Sequence, residues 1–430
     1  MRVAVVGAGW AGLAAAVQAT RAGHAVTLFE ASRHAGGRAR RLDVTLPDGT
    51  GCVLDNGQHI LVGAYTETLR LMRLVGVEPR DVLLRLPLAL RFPDGTGLAL
   101  PDWPAPWDAA WGIATAVGWT PGDKLALLRT AAGWRARGFT CDDGASVAGL
   151  CASLTPRVAR ELIEPLCVSA LNTPVDRASA RVFLRVLRDS LFARIEGPWA
   201  GSNLLIPKVH LGAILPDAAM RWLRSQGAEV REATRVRALR RDGEGWLVDD
   251  TPADSVMLAC PVADAVRLVE PLAANADWIA SASALQHEPI ASVYTTGPAL
   301  PLPMLALRAS RERPAQFVFD RSQLGGPAGL LAWVVSASRG DADTIEAQVV
   351  AQGRQLGWNV EPVKTIVDKR ATFACTAGLR RPAMEIAPGL LACGDYVDGP
   401  YPATLEGAIR TALAAAGRLN GTGRKAAAGR

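Results

Sequence analysis

The chain has 430 residues, 49% apolar and 20% charged, which excludes a disordered polymer and a lone small binding module; about two to three lobes are expected. Its net charge of +6 rests on arginine, and the five lysines (Lys124, Lys208, Lys364, Lys369, Lys425) are scattered. With no lysine-rich run or aromatic-basic stripe, a nucleic-acid reader is disfavoured, and the excess suits an anionic cofactor or an anionic membrane face.

Met1-Arg2-Val3-Ala4-Val5-Val6-Gly7 reads as a buried strand entering a glycine turn, a pattern expected to leave no room for a cleavable signal peptide. Gly7-Ala8-Gly9-Trp10-Ala11-Gly12, an alanine-rich helix from Leu13 to Ala22, a stop at Gly23 and a strand from Ala25 to Phe29 complete a strand-turn-helix-strand unit. Short strands are expected from Asp81 to Pro101, with Pro93-Asp94-Gly95-Thr96-Gly97 turning a hairpin. Helical patterns dominate from Trp107 to Arg194, carried by Lys124 to Arg137 and Ala178 to Phe192. A helix is expected from Leu211 to Gln226, followed by Glu229-Val230, a strand pair around Arg235 to Leu239 and Trp246 to Val248, and a buried strand from Asp254 to Pro261. Residues 280–370 read as strands around a helix from Asp341 to Gly357. The uncharged run Pro289 to Leu307 contains four prolines and cannot be a spanning helix. Leu390 to Asp395 is another buried strand, Thr404 to Leu419 the last helix, and the Gly-, Ala- and Arg-rich end is expected to fray. Seven cysteines form no CxxC pair and no cluster with histidine, so no zinc site or disulfide framework is indicated and the thiols read as reduced and cytosolic.

Gly7-x-Gly9-x-x-Gly12 sits directly after a strand and opens a helix, the context that makes this pattern a dinucleotide fingerprint. The glycines permit the tight turn, the close approach of backbone to a pyrophosphate and close helix packing, while the helix N-terminus offers amide donors. Glu30 closes the second strand where an acid bonds a ribose 2′-hydroxyl, which favours FAD or NAD over NADP. A glycine turn that merely packs is the competing reading.

Gly36-Gly37-Arg38 follows, and near the far end stand Gly394-Asp395 and Pro402-Ala403-Thr404-Leu405-Glu406-Gly407-Ala408. With these residues the sequence resembles the FAD-binding amine oxidase and carotenoid desaturase superfamily over nearly its whole length. The resemblance implies an α/β fold: a Rossmann-like FAD-binding domain of the glutathione-reductase type with an inserted α+β substrate domain. It implies that Arg38 neutralises phosphate, that Asp395 accepts a ribitol hydroxyl, and that the last helix aims its N-terminus at the flavin, with Thr404, Leu405 and Glu406 beside the pyrimidine end. Trp10, Ala11, Gly57, His59 and Val236 are also assigned to the cofactor by resemblance. Asp55-Asn56-Gly57-Gln58-His59-Ile60-Leu61-Val62-Gly63-Ala64-Tyr65, Leu171-Asn172-Thr173-Pro174 with Ser179-Ala180, and the stretch Pro402 to Ala408 together resemble the squalene-associated branch, the hydroxysqualene dehydroxylases.

That branch implies protonation and loss of an allylic hydroxyl, with hydride from reduced flavin filling the carbon, in an apolar cavity with aromatic faces or fixed dipoles. The candidate catalytic residues by resemblance are His59, Asp55, Tyr401 and Glu406. His59 reads equally as a structural histidine bridging backbone groups, Asp55 as the cap of its own Asp-Asn-Gly turn, and Glu406 as a capping or flavin-positioning residue. The Ser-Gly-Gly-Cys pattern of covalent amine oxidases is absent, so covalent flavin is not expected. A desaturase or isomerase would use the same cofactor with hydride moving the other way; an amine oxidase would bring an aromatic cage, for which Tyr401 is the one obvious member. A flavoprotein scaffold or lipid carrier is the non-enzyme alternative, and the electron donor is open.

Five of the twelve tryptophans lie between Trp103 and Trp134, and Trp103, Trp107 and Trp111 recur every four residues. Flanked by Arg129, Arg135 and Arg137, they read either as a membrane seat for a cytoplasmic protein drawing a hydrophobic isoprenoid from the bilayer, or as core or tunnel lining. The expected FAD domain is discontinuous, 1–80, 195–265 and 375–420, with a substrate domain of 81–194 and 266–374 and a flexible tail of 421–430.

Overall fold

The computed structural model describes residues 1–46, 49–192, 198–272 and 275–427, with side chains described through 419. The expected domain boundary at 194/195 and the last three residues of the expected tail lie outside the described residues. The rest of that tail continues the last helix, Leu405–Ala427, beyond the point where fraying is expected.

A six-stranded sheet organises the first lobe, in the order Glu229–Arg231, Ala25–Phe29, Arg2–Val6, Ser255–Leu258, Leu390–Ala392 and Glu385–Ala387, all parallel except the last. The central strands read as continuous apolar runs because helices or a strand layer cover both faces. On one face the first helix, Trp10–Arg21, meets the last, their alanines (Ala11, Ala14, Ala15; Ala412, Ala415, Ala416) letting the two backbones approach closely. On the other face Trp246 and Val248 of an antiparallel meander (Leu239–Asp242, Gly245–Val248, Thr251–Ala253) seal the sheet. Trp278, Ala282 and Leu285 share that core with Val6, Val256 and Leu258, so 266–272 and 275–285, expected in the substrate domain, pack with the nucleotide lobe.

The second lobe is built on a five-stranded antiparallel sheet, Met304–Ala306, Phe317–Asp320, Leu330–Ser336, His287–Thr296 and Glu361–Phe373. The helix Ala342–Gln355, capped by Asp341 Oδ1 on Thr344 N, covers one face of it and the helical segment 107–192 the other. The strand Leu204–Pro207 joins the lobes: Leu205 points into the first core and Leu204 and Ile206 into the second.

Two local expectations needed correction. The helix expected from Leu211 to Gln226 is two helices, Leu211–Ile214 and Pro216–Ser225, because Pro216 lacks the N–H that would continue the first. The strand expected at Arg235 begins at Leu239. The expected hairpin is present, Ala89–Arg91 on Gly97–Ala99, and so is the helix expected from Lys124, as Pro121–Ala136 with a capping box between Thr120 and Asp123.

Candidate cofactor cleft and active site

The glycine loop follows the strand Arg2–Val6, Glu30 follows Ala25–Phe29, Cys260 follows Ser255–Leu258, and Gly394 follows Leu390–Ala392, so all four sit at the carboxyl ends of neighbouring parallel strands. That edge is where open α/β sheets bind ligands. Gly7 has a φ of +106°, open to glycine, and an added Cβ at Gly12 would lie 1.7 Å from the Gly7 carbonyl oxygen, so Gly12 serves helix-on-strand packing. Gly9 differs. A Cβ there would meet only the Gly37 Cα, at 3.9 Å, and would project into open space in front of the uncapped helix N-terminus. Gly36 completes this cradle, its N–H bonded to the Ala8 carbonyl at 2.8 Å.

Glu30 Oε2 accepts from Ala8 N at 2.7 Å and Oε1 from Ser32 N at 2.8 Å, which stretches the carboxylate across the loop and leaves each oxygen a further lone pair. Arg38 donates to Asp395 Oδ1 at 2.6 Å and to the Ala371 carbonyl at 2.7 Å. The pair raises the Arg38 pKa above its ordinary value, chiefly through the Asp395 charge. The Arg38 side chain is 43% exposed, whereas that of Asp395 is buried. Phosphate neutralisation by Arg38 would therefore use its remaining N–H groups. Val236 is buried with its carbonyl taken by Arg267, and the Trp10 indole donates to the Ala39 carbonyl at 3.2 Å. Cys260 and Cys393 are pushed up to about 12 by burial and are inert thiols. Open space at Gly9, free helix-end amides, and a carboxylate and a guanidinium at opposite ends fit a dinucleotide pyrophosphate.

No described hydrogen bond joins the side chains of the four catalytic candidates to one another, although Arg410 bonds Glu406 and stands beside the Tyr401 ring. Asp55 is 2% exposed and its Oδ1 accepts from Leu211 N at 2.7 Å. It thus caps the helix Leu211–Ile214 rather than its own Asp-Asn-Gly turn, and burial raises its pKa to about 6. Glu406 is fully buried; it accepts from Glu67 N, Thr68 N, the Thr68 hydroxyl and Arg410 Nε, the last at 2.7 Å. It caps the helix Thr66–Leu74, not its own, and with four donors on it a proton-donor role is not what the geometry offers. His59 Nδ1 donates to the Gly57 carbonyl at 2.8 Å, and burial lowers the His59 pKa below the ordinary histidine value. That bond ties the ring to one backbone group two residues away. Thr404, at the start of the last helix, accepts from Gly407 N and donates to the Tyr401 carbonyl; Leu405 beside it packs against the first core.

Tyr401 alone of the four lines a described cavity, of about 490 Å³, with a smaller one of about 290 Å³ adjoining. Its hydroxyl donates to Asp189 Oδ2 at 2.7 Å, and the guanidinium groups of Arg185 and Arg410 stand 5.7 and 5.3 Å from its ring centroid. The larger cavity mixes Val182, Val186 and Pro402 with Arg181, Arg185 and Arg188, so its lining is less apolar than expected. Burial raises the Tyr401 pKa, with Asp189 adding to it. Asp189 and Arg188 were not foreseen as site residues; they sit on a π-helical turn, Arg188–Phe192, which periodicity does not reveal. Among the described residues four buried hydroxyls lack a partner, Thr20, Ser292, Ser338 and Tyr396; a Cβ on Gly57 would lie 3.7 Å from both Ser292 Oγ and the His59 ring. No sequence pattern marks any of them.

Residues 10–420 match the model of the flavin containing amine oxidoreductases. The chain is 27% identical to the hydroxysqualene dehydroxylase of Rhodopseudomonas palustris, over 98% of this chain and 99% of that one, and 26% identical to that of Zymomonas mobilis, over 96% and 97%. The zeta-carotene desaturase of a Synechocystis species is 42% identical over 78 residues, 18% of this chain and 15% of that one. Among solved structures, an oxidoreductase from Methanosarcina mazei aligns with a TM-score of 0.71 at 18% identity over 96% of this chain and 99% of that one. Reduced UDP-galactopyranose mutase aligns at 0.68 with 14% identity, over 98% and 94%. These neighbours share the fold, a Rossmann-like flavin domain with a second lobe inserted. The protein is a flavin-dependent oxidoreductase, and the chain belongs to the flavin containing amine oxidoreductase family.

Proposed function

We propose that this protein is a hydroxysqualene dehydroxylase that binds FAD and reductively replaces the hydroxyl of hydroxysqualene with hydrogen, giving squalene. The observation that carries the reading is end-to-end similarity to hydroxysqualene dehydroxylases, against a desaturase match confined to 78 residues. A glycine cradle together with Glu30 at the close of the second strand supports the whole dinucleotide, FAD, over a mononucleotide.

In this reading Gly7, Gly9 and Gly12 with the first-helix amides receive the pyrophosphate, Glu30 the adenosine ribose, Val236 the adenine side, and Arg38 and Asp395 the phosphate and ribitol. Ala11, Gly37, Gly57 and the start of the last helix at Thr404 and Leu405 border the rest. Bound FAD, when reduced, supplies the hydride that the allylic carbon takes up. The chain's own part is a proton and an enclosure. Tyr401 faces the cavity with its proton held at Oη against Asp189, the carboxylate that Arg188 also bonds, and is the group we assign to protonate the departing hydroxyl. His59, neutral and tethered to Gly57, orients the cofactor, while Asp55 and Glu406 hold the walls by capping two helices. The test is an anaerobic incubation of the photoreduced protein with detergent-dispersed hydroxysqualene, extracted for squalene. Squalene formed in proportion to protein supports the reading; unchanged hydroxysqualene beside turnover of phytoene or zeta-carotene by the oxidised protein would replace it with the desaturase reading.

A further inference from the structure

The ten large apolar side chains exposed on the described surface are unevenly placed: Trp103, Trp107, Trp111, Val117, Leu125 and Leu128 fall within one short stretch of chain. Trp103, Trp107 and Trp111 are 46, 69 and 51% exposed, which removes the core and tunnel readings for all three, whereas Trp119 and Trp134 are buried. The Trp103 and Trp111 rings stand 5.3 Å apart and form one aromatic ledge on the helix Trp107–Ala114 and the loop before it. Behind the ledge Asp108 is buried, bonded to Ala109 N and the Ser202 hydroxyl, and Gly112 lies so close to Leu100 that an added Cβ would come within 2.9 Å. The inner face is therefore fixed and the tryptophans are held outward by construction.

The neighbouring helix Pro121–Ala136 continues the surface. It touches Trp107–Ala114, Lys124 Nζ donates to the Ala114 carbonyl at 2.7 Å, and its exposed stripe carries Leu125, Leu128, Arg129 and Arg135. From 103 to 141 the acids are Asp108 and Asp123, both buried, while Arg129, Arg135 and Arg137 are exposed, so this stretch itself is positive; of the exposed acids at its ends, Asp102 is paired with Arg85 and Asp143 with Arg181, and Asp142 is exposed beside them.

We propose that this ledge seats the protein on an anionic lipid bilayer, the three indoles entering the headgroup layer and the arginines meeting lipid phosphates. Tryptophan is the side chain best matched to that layer, apolar in body with an N–H at its rim, and arginine adds attraction to anionic lipid. A second copy of the chain is a poorer occupant, since a two-fold contact through this face brings together two copies of one surface that carries Arg129, Arg135 and Arg137. No described helix is long and apolar enough to cross a membrane, so attachment by this ledge is peripheral. The proposal is independent of which substrate the protein reduces.

The test is co-sedimentation of the flavin-loaded protein with sucrose-filled vesicles of phosphatidylglycerol and phosphatidylcholine or of phosphatidylcholine alone, with brominated lipid reporting indole depth by quenching. The parent protein should bind the anionic vesicles more tightly than the neutral ones. Trp103→Ser/Trp107→Ser/Trp111→Ser should lose at least about tenfold in partition, and Arg129→Glu/Arg135→Glu should lose the preference for anionic lipid while keeping the quenching. Both variants should retain flavin and turnover of detergent-dispersed substrate, which establishes that they are folded. The proposal is overturned if the triple variant binds vesicles like the parent, if the parent does not bind, or if the parent is a dimer in solution that the triple variant converts to a monomer without vesicle binding.

Discussion

Replacing Asp55 with Asn removes a charge that the fold tolerates at a cost, and the cost can be worked from the site. The carboxyl is 2% exposed, receives one N–H at 2.7 Å from Leu211, and feels Arg321 only at a distance; burial outweighs both and raises its pKa to about 6. Because the native state then binds this proton more tightly than the unfolded chain, stability is highest below the unfolded value and falls as pH rises through the folded one. The difference corresponds to a loss on the order of 3 kcal/mol by neutral pH. Asparagine keeps an oxygen for the Leu211 N–H and carries no charge. Asp55→Asn should therefore match the parent near pH 4 and exceed it by up to about 3 kcal/mol at pH 8, read by urea unfolding at fixed, saturating flavin. A variant no more stable than the parent at pH 8, with the same slope between pH 4 and 8, would refute the assignment of Asp55 as a buried cap. Single-turnover rates on the same variant separate capping from catalysis, since a cap leaves them within a few-fold.

Gly9→Val should fold normally and lose flavin, because its side chain enters open space, while Gly12→Ala should cost about 3 kcal/mol or more by driving a methyl into the Gly7 carbonyl; flavin content and thermal melts read both. Glu406→Gln should cost about 2 to 3 kcal/mol by weakening the cap on Thr66–Leu74 and leaving Arg410 without its carboxylate, with the pH profile of reduction unmoved; a shifted profile would restore Glu406 as a proton carrier. Tyr401→Phe should slow flavin reoxidation by hydroxysqualene about a hundredfold with flavin retained, and an unchanged rate would pass the proton to another group.

The glycine turn was legible because its chemistry is written locally. Gly7, Gly9 and Gly12 act within one turn and Glu30 follows at a fixed chain distance, so spacing nominates them, whereas Arg38 was nominated through the family resemblance. The catalytic half was not, because its assignments depend on partners far along the chain. Glu406 is occupied by a helix start more than three hundred residues earlier, and Asp55 by Leu211, 156 residues on; no local pattern reveals either bond. The single helix expected across Pro216 was misjudged by giving apolar periodicity precedence over a proline that lacks an amide. For Trp103, Trp107 and Trp111 the four-residue spacing was visible, but which way the face points is decided by the buried Asp108 and Gly112 behind it.

The central claim is the direction and substrate of the redox step, and one anaerobic stopped-flow experiment addresses both. The photoreduced protein is mixed with detergent-dispersed hydroxysqualene while flavin absorbance is followed, and the lipid is then extracted and quantified. The account predicts reoxidation with one squalene formed per flavin. Flavin that stays reduced with hydroxysqualene, while the oxidised protein is bleached by squalene, phytoene or an amine, would contradict it.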